Sequence, residues 1–72
     1  MEIDGAQLRY LRKLAGHNLI GFAKLAGCSF QYLSQLETGA RQACSPALFA
    51  SFCEALKLSD RTVLLRDDKA AA

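Results

Sequence analysis

Three cysteines and one histidine are the residues of this sequence best suited to bind a metal ion. Cys28, Cys44, Cys53 and His17 supply the ligand types of a Cys3His zinc site. Their spacing matches neither paired CxxC arms nor a secreted disulfide framework, and each cysteine lies in an apolar run. We therefore expect buried, reduced thiols, no metal and no cofactor, which favours a cytoplasmic location.

Groups of side chains that could catalyse a reaction are absent from the sequence. The chain has a single histidine, His17, and no Ser/His/Asp arrangement or close carboxylate pair. Glu54 stands alone, and Asp67 and Asp68 belong to a polar tail. His17 takes an apolar position, where a packed ring is favoured over a pH switch or a ligand. We expect that the protein is not an enzyme.

Length and charge set further bounds on the class of protein. The 72 residues, 51% of them hydrophobic, predict one globular domain (residues 1–72) that is too small for a large catalytic cleft. The net charge of +2 is mild and does not by itself indicate a nucleic-acid partner. The acidic beginning Met-Glu-Ile-Asp and the short apolar runs indicate neither export nor a membrane span.

Hydrophobic periodicity divides the chain into short helical segments bounded by polar caps, glycine and proline, without strand signals. The segments are 4–15 (capped by Asp4), 18–27 (Asn18), 29–39 (Ser29), 45–56 (Ser45-Pro46) and 59–65 (Ser59 or Asp60). The residues expected to face inward include Leu8, Leu11, Ala15, Phe22, Ala23, Ala26, Leu33, Leu36, Leu48, Phe49, Phe52 and Leu56. The prediction is an all-α fold, a compact bundle of four to five short helices.

Only Gly27, Cys28 and Ser29 separate the second helical segment from the third. So short a turn holds two helices at a steep angle, which is the geometry of a helix-turn-helix. In that geometry Ala23 must be small because the third helix crosses it, Gly27 must adopt a positive φ, and Cys28 fills the angle. Such a unit projects one short helix outward, so that its N-terminal half can enter a DNA major groove.

The stretch "LRYLRKLAGHNLIGFAKLAGCSFQYLSQLETGARQACSPALFASFCEALKL" resembles the Cro and phage-repressor (lambda-repressor-like) helix-turn-helix, also called the XRE family. The resemblance spans residues 6–58 and is most specific in "AGCS", in "YLSQLETG" followed by Arg41, and in "SPALFASFCEALKL". It implies four or five helices that bind operator DNA, usually as a two-fold dimer, and regulate transcription. Beyond it, residues 59–72 are predicted to form a short C-terminal helix and a tail.

The same resemblance assigns roles to residues around the third helix. Phe30, Gln31 and Gln35 fall at positions that read base edges, where glutamine can pair with adenine and Phe30 can pack on a thymine methyl. The expected phosphate contacts are Ser29, Tyr32, Arg41 and Lys24. The alternative for these residues is an ordinary solvated surface and, for Tyr32, a cover over the core.

Arg12 and Glu37 are implied by the resemblance to form a buried ion pair between the first helix and the end of the third. Such a pair fixes the orientation of the third helix. Arg12 is therefore predicted to be structural and not to contact DNA.

The segment "HNLIG", residues 17–21, departs from the family pattern. Leu19 replaces the glutamine that commonly braces the second helix against a phosphate, so this contact is expected to be lost. Leu14, Leu19 and Ile20 can instead expose an apolar patch for a protein partner.

A candidate dimer surface lies in the last segment, where Val63, Leu64 and Leu65 are apolar. The alternative for these residues is a lid that closes the core of a single subunit. A dimer would place two reading helices on the half-sites of a palindromic operator, about one helical turn apart.

Two functions remain open from the sequence. The first is a sequence-specific DNA-binding transcriptional regulator, a repressor of phage or mobile-element type, with the helix at about 29–38 in the major groove of double-stranded DNA. The alternative is a protein-interaction module on the same scaffold, such as an antirepressor, an antitoxin-like domain or a phage protein that binds a host factor. Binding that depends on Leu19 and not on Gln31 would favour the alternative.

Overall fold

Short helices that begin at polar caps account for most of the fold. The computed structural model describes residues 2–65. Its elements are α1 (Gly5–Leu14), α2 (Leu19–Ala26), α3 (Phe30–Thr38), α4 (Pro46–Ala55) and a terminal 3-10 helix, Arg61–Leu64. Across these described residues the regular elements are all helical, which confirms the predicted all-α bundle. None of the helices in this part of the chain has the length and hydropathy needed to cross a membrane.

Local capping chemistry explains where the helices begin. In each case the cap side chain accepts a hydrogen bond from a backbone N–H two or three residues further on. The caps are Asp4, Asn18, Ser29, Ser45 and Asp60. Helices α2 and α3 end at Gly27 and Gly39, which adopt φ values of 86° and 90° in the left-handed region that glycine tolerates best.

The core lies where α2 and α4 pack together and where α3 packs against α1 and α2. It consists of Ile3, Leu8, Phe22, Ala23, Ala26, Leu33, Leu36, Cys44, Phe49, Phe52, Cys53 and Leu64. The rings of Phe22 and Phe52 stack at its centre, with centroids 5.7 Å apart. Leu11, Leu48 and Leu56 pack against this cluster while partly exposed. The prediction that Ala15 faces inward is wrong. Ala15 follows the last residue of α1 and is exposed, because the chain turns there.

The two ends of the described chain meet beside the loop that follows α3. Isolated antiparallel bridges pair Glu2 with Ala43 and Ile3 with Leu65. The Ile3 N–H donates to the carbonyl of Gln42 at 3.0 Å, and the Asp4 N–H donates to the carbonyl of Leu64 at 2.8 Å. This pairing buries Ile3, a core residue that the helical periodicity did not indicate.

Gly5 marks the place where the N-terminus of α1 approaches the C-terminus of α3. A Cβ atom at this position would overlap the backbone carbonyl oxygen of Leu36 and would lie 3.1 Å from the carbonyl oxygen of Glu37. Glycine is therefore required here by the close approach of two backbones, and α3 is held against α1 along its last turn.

Candidate nucleic-acid interface

The joint between α2 and α3 has the geometry of a helix-turn-helix. The N–H groups of Gly27 and Cys28 both donate to the carbonyl of Ala23, at 2.9 and 3.0 Å, which closes α2 tightly before the chain turns. Ala23 is buried and Cys28 is half-buried against the core. Residue 30 already belongs to α3, so the turn contains only three residues.

The third helix presents a hydrogen-bonding face to solvent. Leu33 and Leu36 are fully buried and attach α3 to the core. The three predicted base-reading residues, Phe30, Gln31 and Gln35, are all exposed, with Phe30 at 43%. Gln31 and Gln35 are four residues apart and so share one face of the helix. The structure therefore brings a phenyl ring and two amides together on the solvent side of one short helix.

Ser29 caps α3 at the end of this face. Its Oγ accepts a hydrogen bond from the Tyr32 N–H at 3.1 Å, which leaves the hydroxyl proton available to a phosphate oxygen. The N-terminus of a helix carries partial positive charge, so an anion near Ser29 is favoured by the backbone as well. Lys24, exposed on α2, adds a positive charge to the same half of the motif.

Arg41 is held against α3 by three interactions that sequence reasoning missed. Its backbone N–H donates to the carbonyl of Gln35 at 3.0 Å, and its Nε–H donates to Gln35 Oε1 at 3.3 Å. The guanidinium carbon lies 4.9 Å from the ring centroid of Tyr32. The residues are separated by the left-handed glycine that ends α3, and no sequence period relates positions across such a turn.

Tyr32 packs partly against the core, and its hydroxyl donates to the carbonyl of Ala43 at 3.5 Å. The structure thus gives it the covering role that was the alternative to a phosphate contact. A phosphate contact by the same hydroxyl remains a prediction.

The two residues predicted to pair, Arg12 and Glu37, lie in direct contact. Arg12 Nε donates to Glu37 Oε2 at 2.7 Å and Nη2 donates to Oε1 at 3.0 Å, so both carboxylate oxygens are occupied. Arg12 Nη1 donates to the carbonyl of His17 at 2.9 Å. The side chains are only 9% and 5% exposed. This network joins α1, the loop before α2 and the end of α3, and it holds the exposed face of α3 in place.

The apolar residues of the "HNLIG" region differ in exposure. Leu14 and Ile20 are 66% and 53% exposed, whereas Leu19 is half-buried and packs against the core. Since Leu19 contributes to the core, the predicted partner patch reduces to Leu14 and Ile20.

The predicted dimer surface needs a correction at Leu64. This residue is fully buried in the core of the single subunit, because the 3-10 helix packs against α1 and α4. Leu65 is half-buried and its backbone pairs with Ile3, while Val63 is 38% exposed. The lid over the core is therefore the correct description of Leu64, and Val63 is the exposed apolar residue of this segment.

The four candidate zinc ligands have packing roles. Within residues 2–65, no three or more His, Cys, Asp or Glu side chains are grouped so that they could hold a metal ion. His17 lies against Phe22, with ring centroids 5.5 Å apart. Burial raises the pKa of the thiols of Cys28, Cys44 and Cys53 above the ordinary value, so the neutral thiol is favoured.

A three-residue turn with a left-handed glycine, a buried small residue beneath it and an exposed helix beyond it define the chain as a helix-turn-helix protein. The sequence profile of the helix-turn-helix domain family matches residues 5–65. The chain belongs to this family, which confirms the predicted resemblance.

Three solved structures from bacteria are similar to this chain. The clp gene regulator ClgR from Corynebacterium glutamicum is 41% identical over 82% of this chain and 75% of its own, with a TM-score of 0.71. The restriction-modification controller protein C.AhdI from Aeromonas hydrophila is 29% identical (82% and 88% covered, TM-score 0.74). The N-terminal DNA binding domain of SinR from Bacillus subtilis is 26% identical (89% and 93% covered, TM-score 0.76). No curated protein sequence matches significantly.

Proposed function

We propose that this protein is a sequence-specific DNA-binding transcriptional regulator that inserts the N-terminal half of α3 into the major groove. The observation that carries this proposal is the exposed face of α3 with Gln31 and Gln35, on a helix held by a buried ion pair. A rigidly positioned helix with amides on one face can discriminate bases by hydrogen bonding. Similarity to a gene regulator, a controller protein and a DNA binding domain supports the same function.

The base contacts follow from the chemistry of the exposed face. Gln31 can pair with the N6 and N7 atoms of adenine, and Phe30 can pack on the methyl group of thymine. Ser29, Arg41 and Lys24 would contact phosphates on either side of the groove, with Tyr32 as a further phosphate donor. The Leu19 side chain cannot donate a hydrogen bond to phosphate, so α2 contributes less than it would with a polar side chain there.

The charge of the domain implies weak binding by a single subunit. With a net charge of +2 and two cationic phosphate contacts, Arg41 and Lys24, log K should fall with log salt concentration with a slope of about −2. Useful affinity then requires two subunits on a palindromic operator, since linked half-sites reinforce each other. A repressor of phage or mobile-element type, located in the cytoplasm, fits the small size and the reduced thiols.

For the homodimer we propose Val63 as an apolar contact, with Leu65 beside it. Val63→Asp should abolish the dimer and weaken binding to a palindrome while binding to one half-site is kept. Leu14→Asp, which changes an exposed leucine elsewhere, serves as the control. Sedimentation analysis and titration of both duplexes distinguish these results. An undiminished dimer in Val63→Asp would contradict this assignment.

The function is tested by selecting duplexes from a random pool with the purified protein at two salt concentrations. An enriched motif is expected for the unmodified protein and should be lost in the Gln31→Ala/Gln35→Ala variant. Gln7→Ala removes an amide from α1 and is the matched control, which should keep the motif. Unselective binding that disappears at the higher salt would refute the proposal and favour the protein-interaction module, with Leu14 and Ile20 as its surface.

A further inference from the structure

The exposed face of α3 lies between two flanks that different parts of the chain occupy. On the first flank, the guanidinium carbon of Arg41 lies 4.9 Å from the ring centroid of Tyr32. On the second flank, α1 packs against α3 beside Glu37. Tyr32 and Glu37 lie on either side of the buried residues Leu33 and Leu36, so the exposed residues of α3 fall between the two flanks.

Both flanks of a helix in the major groove face a phosphate backbone. The groove is about 12 Å wide and a helix with its side chains is about 10–12 Å across, so the helix reaches from one strand to the other. Arg41 supplies a cation on the first flank. The second flank includes the loop before α2, because Arg12 Nη1 donates to the carbonyl of His17. However, α2 begins there with the apolar side chain of Leu19.

Helix α1 brings two exposed cations to the second flank. Arg9 and Lys13 are four residues apart and so share one face of α1. Together with Ala6, Tyr10 and Glu37 they line a shallow cleft between α1 and the end of α3. Helix α1 contains no acidic residue, and among residues 2–65 neither cation has a carboxylate partner. Both charges are therefore available to an anion beside α3.

The carboxylate of Glu37, which borders this cleft, does not cancel the two charges. Its oxygens accept hydrogen bonds from Arg12 at 2.7 and 3.0 Å, and its side chain is only 5% exposed. Since this buried pair is neutral as a whole, Arg9 and Lys13 leave the cleft with an excess of positive charge. The position of the cleft is fixed relative to α3, because the backbones of the two helices approach closely at Gly5.

We propose that Arg9 and Lys13 form a phosphate-binding site on α1, which contacts the DNA strand across the major groove from the strand that Arg41 contacts. This inference rests on the proposed DNA-binding function and adds a third helix to the interface. The two cations replace the phosphate contact that the Leu19 side chain cannot make. Each cation that neutralises a phosphate steepens the salt dependence by about 0.9, so the slope changes from the value of about −2 for Arg41 and Lys24 alone to about −4.

The salt dependence of binding tests this site with the full chain and a duplex from the random selection. Arg9→Gln/Lys13→Gln removes both charges and keeps polar side chains, so the slope measured by fluorescence anisotropy should fall from about −4 to about −2. Lys57→Gln/Arg61→Gln changes the net charge by the same amount at exposed positions after α4 and in the 3-10 helix, and it should leave the slope unchanged. Circular dichroism verifies that both variants are folded. An unchanged slope in Arg9→Gln/Lys13→Gln, or an equal decrease in the two variants, would overturn the proposal.

Phosphate ethylation interference locates the contact on the DNA. Ethylation neutralises one phosphate and weakens binding where that phosphate is contacted. Within one half-site, the phosphates that cease to matter in Arg9→Gln/Lys13→Gln should lie on the opposite strand from those that cease to matter in Arg41→Gln. An interference pattern that is unchanged in Arg9→Gln/Lys13→Gln, or changed only on the strand that Arg41 contacts, would contradict the α1 site.

The random selection separates failure of this site from failure of the proposed function. Phosphate contacts carry no direct base information, so Arg9→Gln/Lys13→Gln should select the same motif as the unmodified protein, with lower affinity. A motif combined with an unchanged slope would refute the α1 site alone. Binding without a motif that still loses its salt dependence in this variant would retain the site and refute the sequence-specific function. Absence of binding to any duplex at low salt would refute both.

Discussion

Arg12 and Glu37, which lie 25 positions apart in the chain, are joined by two hydrogen bonds of 2.7 and 3.0 Å in a nearly dry site. Each nitrogen of the guanidinium group has a hydrogen-bond partner, since the third one, Arg12 Nη1, donates to the carbonyl of His17. A buried ion pair of this kind contributes more to defining one arrangement than to net stability, because desolvation of both charges offsets their attraction. In this domain the pair defines how the end of α3 packs against α1.

Removing one member of the pair should be strongly destabilising. Glu37→Ala leaves the Arg12 charge buried without its counter-ion, and we expect a loss of about 3–5 kcal/mol in the free energy of unfolding. Urea unfolding followed by circular dichroism measures the loss. Glu54→Ala removes an exposed carboxylate from α4 and should change stability by less than about 0.5 kcal/mol. An unchanged midpoint in Glu37→Ala would show that the pair has no structural role.

The sign of the stability change in Gly5→Ala tests whether the backbones of α1 and α3 approach as closely as the structure shows. In an unobstructed helix, replacement of glycine by alanine stabilises by up to about 1 kcal/mol. Here the new Cβ would overlap the Leu36 carbonyl oxygen, so Gly5→Ala should instead destabilise by about 1–3 kcal/mol, as overpacking does. Thermal unfolding of the two proteins suffices for the comparison. A raised melting temperature would mean that α1 and α3 are further apart than described.

Ser29 is expected to act both on the stability of α3 and on DNA. Ser29→Ala removes the oxygen that accepts from the Tyr32 N–H and should cost about 1 kcal/mol of stability, the usual loss for an N-cap. It should also weaken operator binding, measured by fluorescence anisotropy at a temperature where the variant is fully folded. Ser29→Thr keeps the hydroxyl and should restore most of both losses. Equal affinity for Ser29→Ala would remove Ser29 from the phosphate contacts.

The buried thiols predict a loss of stability at alkaline pH. Since burial raises the pKa of Cys28, Cys44 and Cys53 in the folded state, the folded protein holds these protons more tightly than the unfolded chain. Their contribution is complete below the unfolded thiol pKa of about 8.5 and is lost as the pH rises through the higher folded values. Urea midpoints between pH 7 and 9.5 should fall, and less steeply in Cys53→Ala. A flat profile would contradict this.

Thiol reagents give an independent check on the same three residues. Cys28 is half-buried whereas Cys44 and Cys53 are buried, so Cys28 should react first in the folded protein. All three should react rapidly in urea. Simultaneous reaction under native conditions would indicate that the core opens as a whole.

Local sequence signals predicted most of the fold, because caps and left-handed glycines act within a few residues. Asn18, Ser29 and Ser45 each cap the helix expected of them. Ile3 was missed as a core residue, and the choice between a lid and a dimer surface stayed open for Leu64, because the burial of both depends on how the two ends of the chain pack. No periodicity within a helix carries information on such a pairing.

The candidate interface also contains features that local sequence signals predict and one contact that they do not. The exposure of Gln31 and Gln35 follows from the helical period, which places Leu33 and Leu36 inward. The contact of Arg41 with Gln35 depends on how the chain leaves α3 after Gly39, and that path is set by Tyr32 and by the bridge to Glu2 through Ala43. The contact therefore depends on the packing of the whole domain and not on local sequence.

The pairing of Ile3 with Leu65 has a kinetic consequence. It closes a loop that contains nearly all of the described chain, and a closure of that length has an entropic cost that is offset only after the helices have packed. The Ile3–Leu65 pairing should therefore form last during folding, and thermal fluctuations should break it first. The Ile3 N–H also donates to the carbonyl of Gln42, the residue after Arg41, so opening of the Ile3–Leu65 pairing should loosen the contact of Ile3 with the loop that carries Arg41.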